Sequence, residues 1–237
     1  MTVSKSNLAI MQPYLFPYIG YFQLMSAVDR FVVFDDVNYI NRGWINRNRI
    51  LLNGAAHTFT VPLLAASQNR LICEIELVKE TIWRDKLLRT LQLAYSKAPF
   101  YALTAELLGS IIQFPTQRLD EFLLNSLREL TRYLALDLEI VATSRKYQNS
   151  HLKGQERILD ICLKEQAAKY INPIGGVELY DKDTFSAKGV ELFFLKSRPI
   201  DYPQGKAEHI PWLSIIDVLM FNDANSCRQL LLEKDLL

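Results

Sequence analysis

Two short apolar runs near the N-terminus, Leu8–Met11 and Phe31–Phe34, constrain this chain more than any other feature. Both carry β-branched or aromatic residues and read as buried strands. The segment between them, Ile19–Ala27, has room for about two helical turns. Parallel strands need a long crossover, usually helical, whereas a tight hairpin joins only antiparallel ones. Strand, short helix and strand within about 30 residues therefore fit a parallel βαβ unit.

The same pattern returns towards the C-terminus with helices between. Asn48–Leu52 and His57–Val61 flank Asn53-Gly54-Ala55-Ala56, and Asn-Gly tolerates positive φ, which predicts a hairpin. Ile72–Val78 alternates approximately and is expected as an edge strand. Ile82, Leu87, Leu88, Leu91 and Tyr95 share one helical face ending near Ala98-Pro99, where proline stops the helix. Ala102–Phe114 reads as a second helix, and Leu119–Leu134 as a third, with Thr116 as its cap. Leu138–Ala142 is expected as a strand, followed by a helix opened by Gly154. Tyr170-Ile171 is a short strand entering the Asn172-Pro173-Ile174-Gly175-Gly176 turn, and Val190–Leu195 is a further strand. Trp212–Asn222 and Asn225–Lys234 are expected as C-terminal helices. The chain is thus expected to be a single α/β domain over 1–237, a mostly parallel sheet with flanking helices and an inserted helical block at about 80–136.

Bulk properties narrow the function classes. A formal charge of +1 over 237 residues gives no global reason to expect nucleic acid as a partner. No apolar run approaches the roughly 20 residues of a membrane span. The N-terminal stretch lacks an h-region and a cleavage site, so it reads as the first strand rather than a signal peptide. Three widely spaced cysteines suit a reducing, cytoplasmic setting without disulfides, and the three histidines share no metal-ligand spacing.

The polar residues concentrate where the strands end. Asp35-Asp36 closes the second strand, at the edge where α/β sheets gather ligands. One of the two carboxylates could hold Mg²⁺ or a substrate ammonium; a strand-ending Asx turn also explains them. Arg42, Arg47 and Arg49 follow, able to clamp phosphate or carboxylate, or simply to lie on an exposed hairpin. Asn38, Asn46 and Asn48 offer donors and acceptors, and Trp44 is either a stacking wall or a core anchor. In the first turn Gln12, Tyr18, Gly20 and Tyr21 stand where strand hands over to helix; Gly20 permits close approach and the helix start would attract an anion. Lys153, Gly154 and Arg157 form another helix entry, and Asn172, Gly175 and Gly176 could wrap a ligand with backbone amides. Cys73 and Cys162 sit in apolar surroundings and read as packing residues.

The strings MQPYLFPYIGYFQL, DRFVVFDDVNYINRGWINRNRI, KGQERILDIC, YINPIGG and PWLSIIDVLMFN together resemble the WbqC-like family over about residues 8–235. Family members often carry histidine before Gln-Pro, where this chain has Met11. The layout of the first strand and turn also resembles the HIGH-type nucleotidyltransferases, which include pantothenate synthetase, although Tyr18 and Tyr21 stand here without histidine. The family resemblance implies a role in bacterial surface-polysaccharide (O-antigen) biosynthesis. The expected function is transfer or ligation of an amino acid such as glycine, or another acyl group, to a nucleotide-linked amino sugar. Asp35, Asp36 and Arg47 are the expected catalytic residues. The expected substrate-binding set is Gln12, Tyr18, Gly20, Tyr21, Asn38, Arg42, Trp44, Asn46, Lys153, Arg157, Asn172, Gly175 and Gly176. ATP and Mg²⁺ would be needed if the donor is activated by adenylation, and neither if it arrives preactivated. The alternative is a non-catalytic sugar-nucleotide-binding subunit of a polysaccharide assembly complex.

Overall fold

The computed structural model describes residues 6–205 and 208–237. Its centre is a six-stranded sheet built from β1 (Ser6–Met11), β2 (Arg30–Val33), β7 (Glu139–Val141), β8 (Ala167–Pro173), β9 (Glu191–Ser197) and β10 (Lys234–Leu236), in the order β10-β9-β8-β1-β2-β7. Every pairing is parallel except the last strand, β10, which runs antiparallel along β9. The expected βαβ unit is present: Leu8 to Met11 pair with Arg30 to Val33 in parallel, joined by α1 (Ile19–Met25).

Alternate residues of these strands feed two apolar layers. Ala9, Phe31, Val33, Ile171 and Leu195 pack into one cluster; Leu8, Ile10, Val32, Val141, Tyr170, Leu192 and Phe194 pack into the other. Parallel strands covered on both faces account for the near-continuous apolar runs in the sequence. The first face is covered by α1, α2 (Ile82–Tyr95), α3 (Tyr101–Ile112), α4 (Leu119–Tyr133), α7 (Ile215–Phe221) and α8 (Ala224–Leu230). The second is covered by α5 (Gly154–Lys164) and α6 (Lys182–Ser186).

Residues 34–138 are inserted between β2 and β7. They contain α2–α4 and two small antiparallel pairs, β3 (Arg47–Leu52) with β4 (Ala55–Thr60) and β5 (Leu63–Leu64) with β6 (Glu76–Leu77). The β3–β4 hairpin turns at Asn53 and Gly54 with φ of 52° and 75°, the conformation that Asn-Gly favours. Ile50, Leu91, Ile111 and Leu123 of this insertion share one cluster with sheet residues Ala9 and Phe31.

Four local expectations shift. Residues 72–78 form one tight turn (Ile72–Glu74) and the two-residue β6 rather than a full strand, because Ile72 and Cys73 donate their N–H groups to the Val37 and Asp35 carbonyls of the chain leaving β2. The third helix begins at Leu119; Thr116 Oγ1 instead accepts from Arg118 N at 3.0 Å and donates to Glu121 at 2.6 Å. The last helix ends at Leu230, and Lys234–Leu236 turns back as β10 to pair with the exposed edge of β9. Trp212 precedes its helix, which Ser214 caps by accepting from Ile216 N at 3.2 Å.

Among the described residues no helix is long and apolar enough to cross a membrane.

Candidate functional site

The chain runs β1, β2, β7 in one direction across the sheet and β8, β9 in the other. The connections therefore diverge between β1 and β8, leaving a crevice at their carboxyl ends, the usual ligand position in an open α/β sheet. Three adjoining cavities open there. One of ≈ 400 Å³ lies directly over the divergence, between Met11, Gln12, Phe34, Asn172, Gly176 and Tyr180. A second of ≈ 320 Å³ shares Met11, Tyr14, Pro173 and Gly175 with the first and reaches Tyr18, Gly20, Tyr21, Ser197 and Trp212. A third of ≈ 220 Å³ continues from Tyr14, Tyr18 and Trp212 to Pro17, Trp44, Asn48 and Arg49. A cleft of ≈ 370 Å³ between α2 and α3 is comparable in volume, so position, not size, singles out the crevice.

Local chemistry shapes its walls. Asn48, buried, donates from Nδ2 to the carbonyls of Leu15 (3.0 Å) and Phe16 (2.9 Å) and holds the Tyr14–Pro17 turn against β3. Ser214 Oγ donates to the same Phe16 carbonyl at 2.6 Å and ties in the loop that carries Trp212. The buried Tyr21 hydroxyl donates to Gln12 O at 2.9 Å; burial pushes that phenol well above its ordinary value. A Cβ on Gly20 would collide with Tyr18 and with Ser197 Oγ, and one on Gly176 with Asn172 Nδ2, so both glycines are set by close packing. Asn172 is itself fixed, accepting from the Tyr170 hydroxyl at 3.0 Å and donating to Pro173 O at 3.0 Å. Gln12 Oε1 is buried and has no hydrogen-bond donor in the protein.

The expected catalytic trio divides. Asp36 is paired with Arg157 at 2.6 Å and accepts from Ser144 Oγ. Arg157 also donates to Asp36 O and, from Nε, to Asn149 Oδ1 at 3.0 Å, with its guanidinium 4.7 Å from the Phe34 ring. Asp35 faces another way. It accepts from Thr143 Oγ1 at 2.7 Å and Ser144 N at 3.1 Å, with Arg145 3.2 Å away. Burial raises its pKa, outweighing those donors and the arginine charge. Arg47 turns onto its own loop, donating to Gly43 O at 3.1 Å and to the Arg42 carbonyl.

The remaining expected residues fall into two groups. Gln12, Tyr18, Gly20, Tyr21, Trp44, Asn172, Gly175 and Gly176 line the crevice. Asn46 is buried apart from it, accepting from the Tyr39 hydroxyl at 2.7 Å and donating to Val61 O at 2.9 Å. Asn38, Arg42 and Lys153 are exposed on loops. Tyr14 and Trp212, which the sequence reading did not single out, are wall residues, and Arg49 joins them. Tyr14 lay in the noted aromatic turn, but nothing local marks Trp212, far along the chain from Tyr18 and Trp44.

The walls offer amides, phenols, indoles and one guanidinium. None of the lining residues of the three cavities is Asp, Glu, His, Lys or Cys. Such a surface binds and orients through hydrogen bonds and π faces. Cys73, by contrast, is buried within the insertion, its thiol pushed up to about 11 by burial. Among the described residues no three His, Cys, Asp or Glu side chains gather to hold a metal ion.

The WbqC-like protein family matches residues 12–229. The uncharacterized protein Rv1507c of Mycobacterium tuberculosis is 30% identical over 219 residues, covering 91% of this chain and 93% of that protein. No solved structure matches.

Proposed function

The chain belongs to the WbqC-like protein family, and from that premise we propose that it acts in the biosynthesis of a bacterial surface polysaccharide such as O-antigen, on a cytoplasmic sugar nucleotide. The proposed reaction joins an amino acid such as glycine, or another acyl group, to the amine of a nucleotide-linked amino sugar. The observation that carries the reading is the three-part crevice where the β1 and β8 connections diverge, with aromatic walls at one end and buried amides at the other.

In this reaction the sugar amine attacks the acyl carbon. The C–N bond forms, the bond to the leaving group breaks, and the proton lost from nitrogen passes to solvent. In this reading Gln12 Oε1, which has no donor in the protein, accepts from the amine and orients its lone pair, and the Gly175–Gly176 turn packs against the sugar. Orientation of this kind supplies much of the acceleration when the acyl group is already activated. Asp35, Asp36 and Arg47 act as positioning residues: Asp36 with Arg157 anchors α5 under the crevice, Asp35 anchors the end of β7, and Arg47 shapes the Trp44 loop. Both carboxylates are charge-paired, so Mg²⁺ could take them only by displacing Arg157 or Arg145. That favours a preactivated donor over ATP and Mg²⁺.

The lack of a carboxylate, imidazole, amine or thiol among the wall residues also favours a second reading, a sugar-nucleotide-binding subunit without turnover. Incubating the protein with a nucleoside-diphosphate amino sugar and glycine plus ATP, or with an acyl thioester, and following the mass of the sugar nucleotide separates these. Gain of one acyl unit supports the enzyme, and pyrophosphate release identifies the ATP route. Binding without any product under either donor supports the second reading.

A further inference from the structure

The narrow end of the crevice has a composition unlike the rest. Only three tryptophans exist in the chain, and two of them, Trp44 and Trp212, line this ≈ 220 Å³ compartment together with Tyr14, Tyr18 and Arg49. Both tryptophans are nearly half exposed, at 42% and 47%, although large aromatics normally gain by burial. The third, Trp83, instead packs on Phe122 with ring centroids 5.9 Å apart and lies near Arg84.

The exposed rings are also held in place. Trp212 has φ of 60°, a left-handed conformation costly for a side chain of this size. Its carbonyl accepts from Arg49 Nη2 at 3.3 Å and its ring meets Tyr18 edge-on at 5.9 Å. Arg42 (φ 59°) and Phe16 (φ 42°) add the same left-handed backbone in the loops carrying Trp44 and Tyr14. Arg47 and Arg49 each place a guanidinium 5.8 Å from the Trp44 ring. Arg49 Nε is buried and has no acceptor in the protein, while Asn48 has spent its donors on the Leu15 and Phe16 carbonyls. The compartment thus offers π faces and one unused buried donor, and the volume is below the usual range for a whole small-molecule ligand. It fits one flat ring that carries an acceptor.

We infer that the compartment between Trp44 and Trp212 is a nucleobase subsite, stacking a base that has ring carbonyls, of the uracil or thymine type, and presenting one carbonyl to Arg49 Nε. This deepens the sugar-nucleotide reading and rests on it: the base enters here, the phosphates pass Tyr14 and Tyr18, and the sugar reaches Gln12 and the Gly175–Gly176 turn.

The test is equilibrium binding of uridine 5′-monophosphate, adenosine 5′-monophosphate and ribose 5-phosphate by calorimetry, with tryptophan fluorescence alongside. Uridine monophosphate should bind, quench fluorescence and outcompete the other two. Trp44→Ala and Trp212→Ala should each weaken it about fivefold to hundredfold, the range of one lost stacking contact, while Trp83→Phe should leave affinity unchanged and retain quenching. Equal affinity for uridine monophosphate and ribose 5-phosphate would overturn the stacking subsite. Equal affinity for the uracil and adenine nucleotides would overturn the carbonyl assignment. Nucleotide binding of the expected kind without amide formation from any donor refutes the proposed reaction and leaves the subsite standing. Amide formation with an unchanged KM for the sugar nucleotide in Trp44→Ala and Trp212→Ala does the reverse.

Discussion

Replacing Arg157 by methionine separates a structural role from a ligand-binding one. The guanidinium and Asp36 carboxylate are 2.6 Å apart, with only 7% and 8% of their side chains exposed. At an effective dielectric of about 20, the Coulomb attraction at that separation is about 6 kcal/mol. Burying the two ions costs several kcal/mol, so the net value of the pair is modest; removing one partner is what is expensive. Methionine keeps an unbranched apolar side chain but removes the guanidinium that lies over the Phe34 ring, and it leaves the Asp36 carboxylate buried with Ser144 Oγ as its remaining side-chain donor. Arg157→Met should therefore lose about 3–5 kcal/mol. Followed by urea unfolding with circular dichroism, that is a midpoint about 1–2 M lower. Asp36→Asn combined with Arg157→Met should not add, because the first change removes the stranded charge; the expected coupling is about 2–3 kcal/mol. Stability of Arg157→Met within about 0.5 kcal/mol of wild type, with loss of nucleotide binding, would refute this reasoning and make Arg157 a ligand contact.

Three further outcomes are expected. Gly176→Ala drives a methyl group into Asn172 Nδ2; a loss of about 1–3 kcal/mol in thermal unfolding should come with weaker sugar-nucleotide binding, since the crevice floor must shift. Asn48→Ala removes the side-chain donor to the Leu15 carbonyl and leaves the Phe16 carbonyl with Ser214 Oγ alone, and the cost of about 1–3 kcal/mol should be matched by weaker uridine monophosphate binding in calorimetry. Burial alone would raise the pKa of Glu165, but hydrogen bonds from Lys146, Tyr147 and Arg30 outweigh it and bring the carboxylate below its ordinary 4.5. A depressed carboxylate adds stability above its unfolded value and loses it as pH falls through the folded one. The advantage of wild type over Glu165→Gln should thus be full above pH 4.5 and shrink below it, and a difference that grows on acidification would contradict the assignment.

Legibility tracked how local the determining interactions are. The short continuous apolar runs Leu8–Met11 and Phe31–Phe34 marked β1 and β2, and Asn53-Gly54 marked the hairpin, because residue type and backbone conformation act over a few residues. The C-terminal strand β10 was not legible: Lys234–Leu236 carries no strong strand signal and is ordered by the open edge of β9. Asp35-Asp36 was visible as a strand-end pair, but adjacent strand residues point to opposite faces, and their partners Thr143, Ser144, Arg145 and Arg157 lie more than a hundred residues on. Which of several arginines meets a carboxylate is a question of packing, and Arg47, closer in sequence, binds its own loop instead.

By itself the sequence determined the layered parallel architecture, the position of the polar strand ends and the aromatic turn after β1, since these follow from periodicity and residue type along short stretches. Tertiary structure decided the strand order, and with it the divergence between β1 and β8 that opens the crevice. It also decided that Trp212 should stand across from Trp44 and Tyr18. The physical reason is that a crevice belongs to elements brought together by burial of their opposite faces, and no local pattern records which wall a distant loop will supply.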